Sequence, residues 1–405
     1  PWREFSHGGI LSLFCGAGKT VVALNLAARV GRKTLVVVHK EFLMHQWHAR
    51  IQAFLPGAKV GIIQQKKVDV EGKDIVLAML QSLAVRDYPR EVMAPFGLVI
   101  FDECHHLSSE VFSRCLPKIG ARVTLGLSAT PTRKDGLTKV FKWFLGPILF
   151  KADRPRDVSI TALVRVIRLD ARAAGYGKRL VTAAGTANTA AMINNIAQFP
   201  PRTALVAALA RVVVDTPGRQ ILVLSGRRQH LDDIHRFLTN GDDPLDLDAV
   251  GYYVGGMGQG ALQRSEKCRV VLATFHMAAE GLDIKTLNTL LLATPMSGVT
   301  QAVGRILRAV RPEAPPCIID IVDNYSVFAR QASIRRRVYK KQGFLDVSEH
   351  VVHGSPDKWA TEVPSAMDIL GKALTRVGPT TPSRRNDHDH GNAAHLFSDS
   401  SDDDT

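Results

Sequence analysis

ILSLFCGAGKTVVALNLAARV, residues 10–30, joins three pieces of different character. ILSLF (10–14) is a short, continuous apolar run of the kind that forms a strand buried on both faces. TVVALNLAARV (20–30) spaces its apolar residues as a helix does. Between them CGAGKT (15–20) supplies a glycine-rich loop that opens the helix. Gly16 and Gly18 let the backbone turn its amides toward an anion. The helix N-terminus adds partial positive charge. A strand, such a loop and a helix, in that order, are the setting of a phosphate-binding loop. Lys19 would reach the β- and γ-phosphates of ATP, and Thr20 would ligate Mg²⁺. Cys15, Gly16, Ala17 and Gly18 would line the cradle. Read as G-x-x-x-x-G-K-[ST], the first position holds Leu13 instead of Gly.

Outward from this stretch the same alternation continues. TLVVV (34–38), IVLA (75–78), LVIF (98–101) and VTLGL (123–127) read as further buried strands, and FLMHQWHARIQAF (42–54) as a helix between two of them. Alternating strand and helix predicts an α/β domain with a doubly wound parallel sheet over residues 1–150. The pattern blurs over 151–201, which reads as a linker holding one helix. ILVLS (221–225), VVLAT (270–274), LLLAT (290–294) and CIIDIV (317–322) then predict a second such domain over 202–346. Periodicity fades beyond Val347. Residues 347–405 read as a polar, low-complexity, disordered tail. Its DHDHGNAAH (387–395) reads as solvated, with metal uptake the alternative.

The body of the chain is basic. The last twenty residues carry six Asp and no Lys or Arg, and lower a body of +20 to a net charge of +14. Such a body suits a polyanion such as nucleic acid. Hydrophobic residues make up 45%, enough for sizeable cores. The five Cys show no metal-binding spacing and fit reduced, intracellular thiols. No apolar run approaches the roughly 20 residues of a membrane span, and no secretory signal opens the chain.

FDECHHLSSEVF (101–112) crowds two acids, a thiol and two imidazoles together. Zinc is one reading, but neighbours on a strand point to opposite faces and do not converge on one ion. LVIFDE is instead a buried strand ending in two acids. Beside a phosphate loop, that is where the second Mg²⁺-binding group of an NTPase sits. Asp102 would hold Mg²⁺ through water, and Glu103 would orient and deprotonate the attacking water. His105 and His106, just past the strand, would sense the nucleotide or link the domains.

DECH (102–105) resembles the D-E-x-H box of superfamily 2 helicases, and the rest of that family's motifs follow in order. LGLSATP (125–131) resembles the S-A-T motif, which implies that Ser128 and Thr130, with His105, couple hydrolysis to domain movement. VVLATFHMAAEGLDI (270–284) resembles the motif whose Thr contacts nucleic acid and whose Gly and Asp approach the nucleotide; these are Thr274, Gly281 and Asp283. QAVGRILR (301–308) resembles the Q-x-x-G-R-x-x-R motif, which implies nucleotide contact by Gln301 and charge stabilisation by Arg305 and Arg308. HKEFLMHQW (39–47), LQSL (80–83) and ILVLSGRRQHL (221–231) sit where the strand-contacting motifs fall, which makes Gln81, Ser82, Ser225 and Arg227 candidate nucleic-acid contacts. SATPTRKDGLTKVFKWFLG (128–146), YYVGGM (252–257) and AEGLDIKTLNTLLLATP (279–295) resemble the helicases of large cytoplasmic DNA viruses, the poxvirus transcript-release type and, more distantly, the xeroderma-pigmentosum group B type.

The resemblance covers roughly residues 8–345. It implies two tandem RecA-like domains, ATP and Mg²⁺ as cofactors, and an ATPase that moves 3′ to 5′ along DNA, or along RNA, in transcription or repair. It further implies a monomer working with transcription machinery, no membrane, and a host-cytoplasmic or virion location. The family carries an aromatic and a Gln on a helix before the phosphate loop. Only PWREFSHGG (1–9) precedes the first strand here, so that base-recognition helix is expected to be missing. A non-catalytic nucleic-acid-binding module and a remodelling translocase that does not unwind are the alternatives. SIRRRVYKKQGF (333–344) reads either as a phosphate grip with Tyr339 stacking on a base or as an exposed helix face. Trp47 and Trp143 read as packing residues. GGMGQG (255–260) reads as a turn that follows no clean strand.

Overall fold

The computed structural model describes residues 7–14, 16–104, 110, 114–129, 138–152, 162–169, 176–240, 243–280, 282, 284–307, 314–344, 346–353 and 355–370, without the side chains of 7, 138–141, 279–280 and 366–367. Two parallel sheets organise them. The first holds β1 (His7–Leu13), β2 (Thr34–Val38), β3 (Val60–Gln64), β4 (Lys67–Asp69), β5 (Ile75–Met79), β6 (Leu98–Phe101), β7 (Val123–Ser128) and β8 (Ile148–Ala152). Their order is β4-β3-β5-β2-β6-β7-β1-β8, and only the β3–β4 pair is antiparallel. The second holds β9 (Leu163–Leu169), β10 (Ile221–Ser225), β11 (Val250–Tyr253), β12 (Val270–Thr274), β13 (Thr289–Leu292), β14 (Cys317–Asp323) and β15 (Val347–Val352). Their order is β11-β12-β10-β13-β14-β9-β15, all parallel.

Each sheet is covered on both faces, and alternate side chains of one strand enter different cores. Leu35 and Val37 of β2 pack in one cluster, Val36 and Val38 in the other. In the second sheet Leu222 and Leu224 of β10 face one cluster, Ile221 and Val223 the other. Continuous apolar runs are therefore the correct signature here, since neither face meets water. The helix Lys19–Val30 ends at Gly31 (φ 62°), whose N–H bonds the Ala27 carbonyl at 3.1 Å. That left-handed cap is one that glycine adopts without strain. The helix Glu41–Phe54 buries Leu43, Met44, Trp47 and Ile51, one stripe at helical spacing.

Three boundaries differ from expectation. The segment expected as a linker, 151–201, completes β8 and then supplies β9, which lies between β14 and β15 inside the second sheet. LVRVIRL hides this because two arginines interrupt its apolar run. Arg165 is buried, but it donates to the Asp346 carboxylate at 2.9 Å and to the Asp368 carbonyl at 3.0 Å. The expected tail supplies β15, and Trp359, Ile369 and Leu370 pack into the second core. VSEHVV shows little apolar pattern because most of this edge strand is exposed. The second domain therefore runs from at least Leu163 to Leu370; residues 371–405, with the DHDHGNAAH stretch, lie outside the described residues. GGMGQG does follow a strand, β11, and leads into the helix Gln259–Ser265. Trp143 is exposed, whereas Trp47 is buried.

One buried ion pair ties the second domain together. Arg202 and Asp323 have fully buried side chains. Arg202 Nε and Nη2 donate to the two Asp323 oxygens at 2.7 and 2.8 Å, and Nη1 donates to the Ala293 carbonyl at 2.6 Å. The Tyr176 hydroxyl also donates to Asp323. The pair pins the helix Pro200–Val214 over the carboxyl ends of β13 and β14. Removing one partner leaves an uncompensated buried charge, which costs about 3–5 kcal/mol. Arg202→Ala is therefore expected to lower the unfolding free energy by about that amount in chemical denaturation. A loss below about 0.5 kcal/mol, the range of ordinary surface changes, would contradict this role.

Candidate active site

The carboxyl ends of five neighbouring strands, β5-β2-β6-β7-β1, carry the sequence motifs of the first domain. Ligands of open parallel sheets bind at that edge. After β1 the chain turns through Gly16 (φ 90°) and Gly18 (φ 78°), both in the left-handed region. A Cβ built on Gly18 meets nothing within 4 Å. The loop is thus open on that side, and the helix from Lys19 starts with no side-chain cap and no acid in its first turn. Its uncapped N–H groups and dipole favour an anion. Thr20 is half-buried in this first turn. Leu13, where the motif has Gly, is packed in the core at the end of β1.

The two acids of β6 meet this loop. Lys19 Nζ donates to Glu103 Oε1 at 2.6 Å, with both side chains largely buried. Glu103 has φ 45°, an uncommon conformation for a residue with a Cβ. Its N–H donates to Asp102 Oδ1 at 2.9 Å. The other Asp102 oxygen accepts the Trp47 indole N–H at 2.8 Å. Burial pushes the Asp102 pKa up, and the neighbouring Glu103 charge adds to that; Lys19 and the Trp47 hydrogen bond oppose it. Trp47 therefore packs, as its residue type predicts, and also holds the orientation of Asp102. Sequence reasoning missed this second role because the two residues are 55 apart in the chain. Burial, and then the Glu103 and Asp102 charges, raise the pKa of Cys104. The side chain is fully buried and packs in the first domain's core.

Ser128 ends β7 fully buried, beside β1 at the register position of Ser12. Gln81 is exposed and donates from Nε2 to the His39 carbonyl at 2.8 Å, linking the segments after β5 and β2. Ser82 departs from expectation. It is buried, and its hydroxyl accepts the Gln65 N–H at 2.8 Å, so it stabilises a turn.

In the second domain Ser225 is likewise buried at the end of β10. Its Oγ lies 3.0 Å from His230 Nδ1 and accepts the Arg227 N–H at 3.1 Å. Its hydroxyl shapes the turn. The Arg227 guanidinium donates to Asn194 Oδ1, to the Gly226 carbonyl at 2.9 Å and to the Ala190 carbonyl at 3.0 Å. Thr274, half-buried, ends β12, and Thr294, missed from sequence, accepts the Gly226 N–H at 2.8 Å. Gln301 and Arg305 lie on the helix Thr300–Ile306. Arg305 donates from Nε to the Ala278 carbonyl at 2.9 Å and from Nη1 to the Leu282 carbonyl at 2.7 Å. It thereby ties this helix to Ala278 and Leu282. Cys15, His105, His106, Thr130, Gly281, Asp283 and Arg308 lie outside the described residues. The two domains touch where Lys40 meets the His276 ring and Phe42 packs against cores of both.

Residues 3–133 match the family described as the res subunit of type III restriction enzymes. A protein of Acanthamoeba polyphaga mimivirus named as an ATP-dependent RNA helicase is 36% identical over 383 residues, spanning 94% of this chain and 72% of the relative. One of Invertebrate iridescent virus 6, named as a helicase, is 28% identical over 358 residues, spanning 84% of this chain and 78% of its own. Among solved structures, S. cerevisiae Dbp5 bound to RNA and ADP BeF3 superposes with a TM-score of 0.59 at 12% identity, over 91% of this chain and 89% of that one; at that identity the likeness speaks for the fold.

Two outcomes follow from the pairing of Lys19 with Glu103 and of Trp47 with Asp102. Glu103→Gln removes the carboxylate that competes with phosphate for Lys19, so ATP should bind at least as tightly as to the wild type. Turnover should fall by at least about a hundredfold, the lower end for a lost general base. Nucleotide titration beside steady-state ATPase checks both, and weakened binding would refute the competition. Trp47→Phe keeps the ring but strips one bond from a buried carboxylate, at about 1–3 kcal/mol. Chemical denaturation measures that loss, and a stability equal to wild type would show that the indole N–H does not matter to Asp102.

Proposed function

The chain belongs to the superfamily 2 ATP-dependent helicases of viral type, and on that premise we propose that it steps along a single nucleic-acid strand by closing and reopening the cleft between its two sheets with each ATP hydrolysed. The observation that carries this reading is the Lys19–Glu103 contact at 2.6 Å. It puts the cation for the triphosphate within one hydrogen bond of the carboxylate for the attacking water. Triphosphate oxygens arriving at the loop draw Lys19 away from Glu103. The freed carboxylate then accepts the proton of water aligned on the γ-phosphorus.

Thr20 and Asp102 are hard oxygen donors that suit Mg²⁺. Both Asp102 oxygens already accept an N–H, which favours contact through water. Bound there, the ion would neutralise charge on the β- and γ-phosphates. From the second domain, Arg308 is assigned to the γ-phosphoryl oxygens. Arg305 presents the segment holding Gly281 and Asp283 and shares the charge stabilisation. Cys15 to Gly18 cradle the phosphates, with Gln301 facing them. Ser128, Thr130 and His105 relay closure between domains. Gln81, Arg227 and Thr274 offer the strand its contacts, while Ser82 and Ser225 support the turns beneath them.

The mimivirus relative is named as an RNA helicase, and the motif resemblance points to DNA. We take either strand as the track, in viral transcription or repair, with the protein acting as a monomer beside transcription machinery. Steady-state ATPase with and without single-stranded DNA and RNA tests the reading. Stimulation by at least one is expected, with affinity that falls steeply with salt as phosphates shed counterions. A rate indifferent to both would contradict it. Arg308→Ala should leave ATP binding within about tenfold, or roughly 1.4 kcal/mol. It should cut stimulated hydrolysis at least about a hundredfold, since an arginine at the transferring phosphoryl is worth about 10³–10⁵ and Arg305 compensates in part. Near-normal hydrolysis would mean that the second domain does not complete the site.

A further inference from the structure

The helix Ser326–Lys341 has two faces with different work. Phe328, Arg335 and Tyr339 are buried. Arg335 Nη2 lies 2.8 Å from Asp320 Oδ1, Nη1 donates to the Met296 carbonyl at 2.6 Å, and the Tyr339 hydroxyl donates to Asp320 Oδ2 at 2.9 Å. These groups fasten the helix to β14, so Tyr339 is closed to base stacking. The flank beside that face, Ala329, Ala332, Ser333, Arg336, Arg337 and Lys340, borders a cavity of 390 Å³ that Asp320 and Tyr339 also line and whose far wall is Val166 and Arg168 of β9 and Glu349 of β15.

Small side chains form the floor of this groove and cations its rim. Against the four cations Arg168, Arg336, Arg337 and Lys340 the groove sets one available acid, Glu349, because Asp320 is paired with Arg335. Glu349 is shared: Arg168 Nε lies 2.9 Å from one of its oxygens and Arg336 Nη2 2.7 Å from the other. Arg337 and Lys340 are exposed and have no ion-pair partner among the described residues. A groove with three surplus positive charges and an open floor fits a chain of phosphates better than a single small anion.

We propose that this groove is a second nucleic-acid site, outside the motor cleft, that grips the sugar–phosphate backbone of the strand beyond the residues at the ends of β10 and β12. The position supports it. Arg168 lies near the carboxyl end of β9, and Asn324, also lining the groove, follows β14. β10 and β9 are separated by β13 and β14. Three strand spacings amount to about 14 Å across the sheet. The helix runs back from the carboxyl edge, since β14 and β15 are both parallel to β9, and at 1.5 Å per residue Arg337 and Lys340 lie a further ~16–21 Å down the face. A strand leaving Arg227 reaches them after about 22–25 Å, or about seven phosphate steps at 3.4 Å each, by turning down beside the helix.

The proposal rests on the reading that the chain binds a nucleic-acid strand, and the test separates the two. Fluorescence anisotropy is measured for a short oligonucleotide that just saturates ATPase stimulation and for one longer by about fourteen nucleotides, twice the span above. Arg337→Ala/Lys340→Ala should raise Kd for the longer one about tenfold and flatten its log Kd against log salt slope by about 1.4, the value for two single-strand phosphate contacts. The short one should bind as to wild type. Glu349→Gln frees both arginines and should tighten binding of the longer one only, an increase that misfolding cannot imitate. Unchanged binding of the longer oligonucleotide by both variants, or equal changes for the two lengths, overturns the second site. Wild-type protein that binds neither defeats the nucleic-acid reading itself, and the groove with it.

Discussion

An ammonium and a carboxylate 2.6 Å apart, on residues 84 positions apart, hold the first domain's site together. For Lys19 to meet Glu103, β1 and β6 must end at the same edge of the sheet, with β7 between them. Parallel pairing over matched registers imposes this. The loop after β1 must then turn back through two glycines in the left-handed region, and Glu103 must accept φ 45°. Strain of this kind is retained where surrounding structure fixes it. Here Asp102 supplies that fixation, bonded on one oxygen by the Glu103 N–H and on the other by Trp47, which the helix after β2 carries.

The second domain solves a different problem. Among the described residues, three of its motif side chains bond backbone. Arg305 holds two carbonyls, Arg227 holds two more, and Ser225 fixes the turn that follows β10. Preformed loops of this sort need little reorganisation when a partner arrives, which is where electrostatic stabilisation of a charged transition state comes from. The Lys40–His276 contact and the shared packing of Phe42 join the segment after β2 in one domain to the second domain, at the helix after β12 and its core.

Much of this was legible in the residues. Buried parallel strands write themselves as unbroken apolar runs, and TLVVV, LVIF, ILVLS and CIIDIV were readable for that reason. What escaped were strands whose burial is bought by pairing: β9 carries Arg165 inward against Asp346, and β15 is an exposed edge with no apolar rhythm. Residue type also misled where burial decides the role. Ser82 and Ser225 are hydroxyls of the kind that contact phosphates, yet both are enclosed and hold turns. Tyr339 sits in a basic run that suits a base platform, yet its ring is core. Neither Trp47 on Asp102 nor Arg202 on Asp323 could be seen, because sequence gives no measure of which distant residues become neighbours.

The central claim is that a triphosphate at Lys19 acts on both domains at once, with the nucleic-acid strand as the second condition. Fluorescence energy transfer between labels at Val85→Cys and Leu247→Cys, positions 80% and 70% exposed on the first and second domains, measures that directly. The account predicts that a non-hydrolysable ATP analogue with a single-stranded oligonucleotide brings the labels together, and that neither ligand alone does so fully. A transfer efficiency that stays constant while both ligands are bound would contradict it.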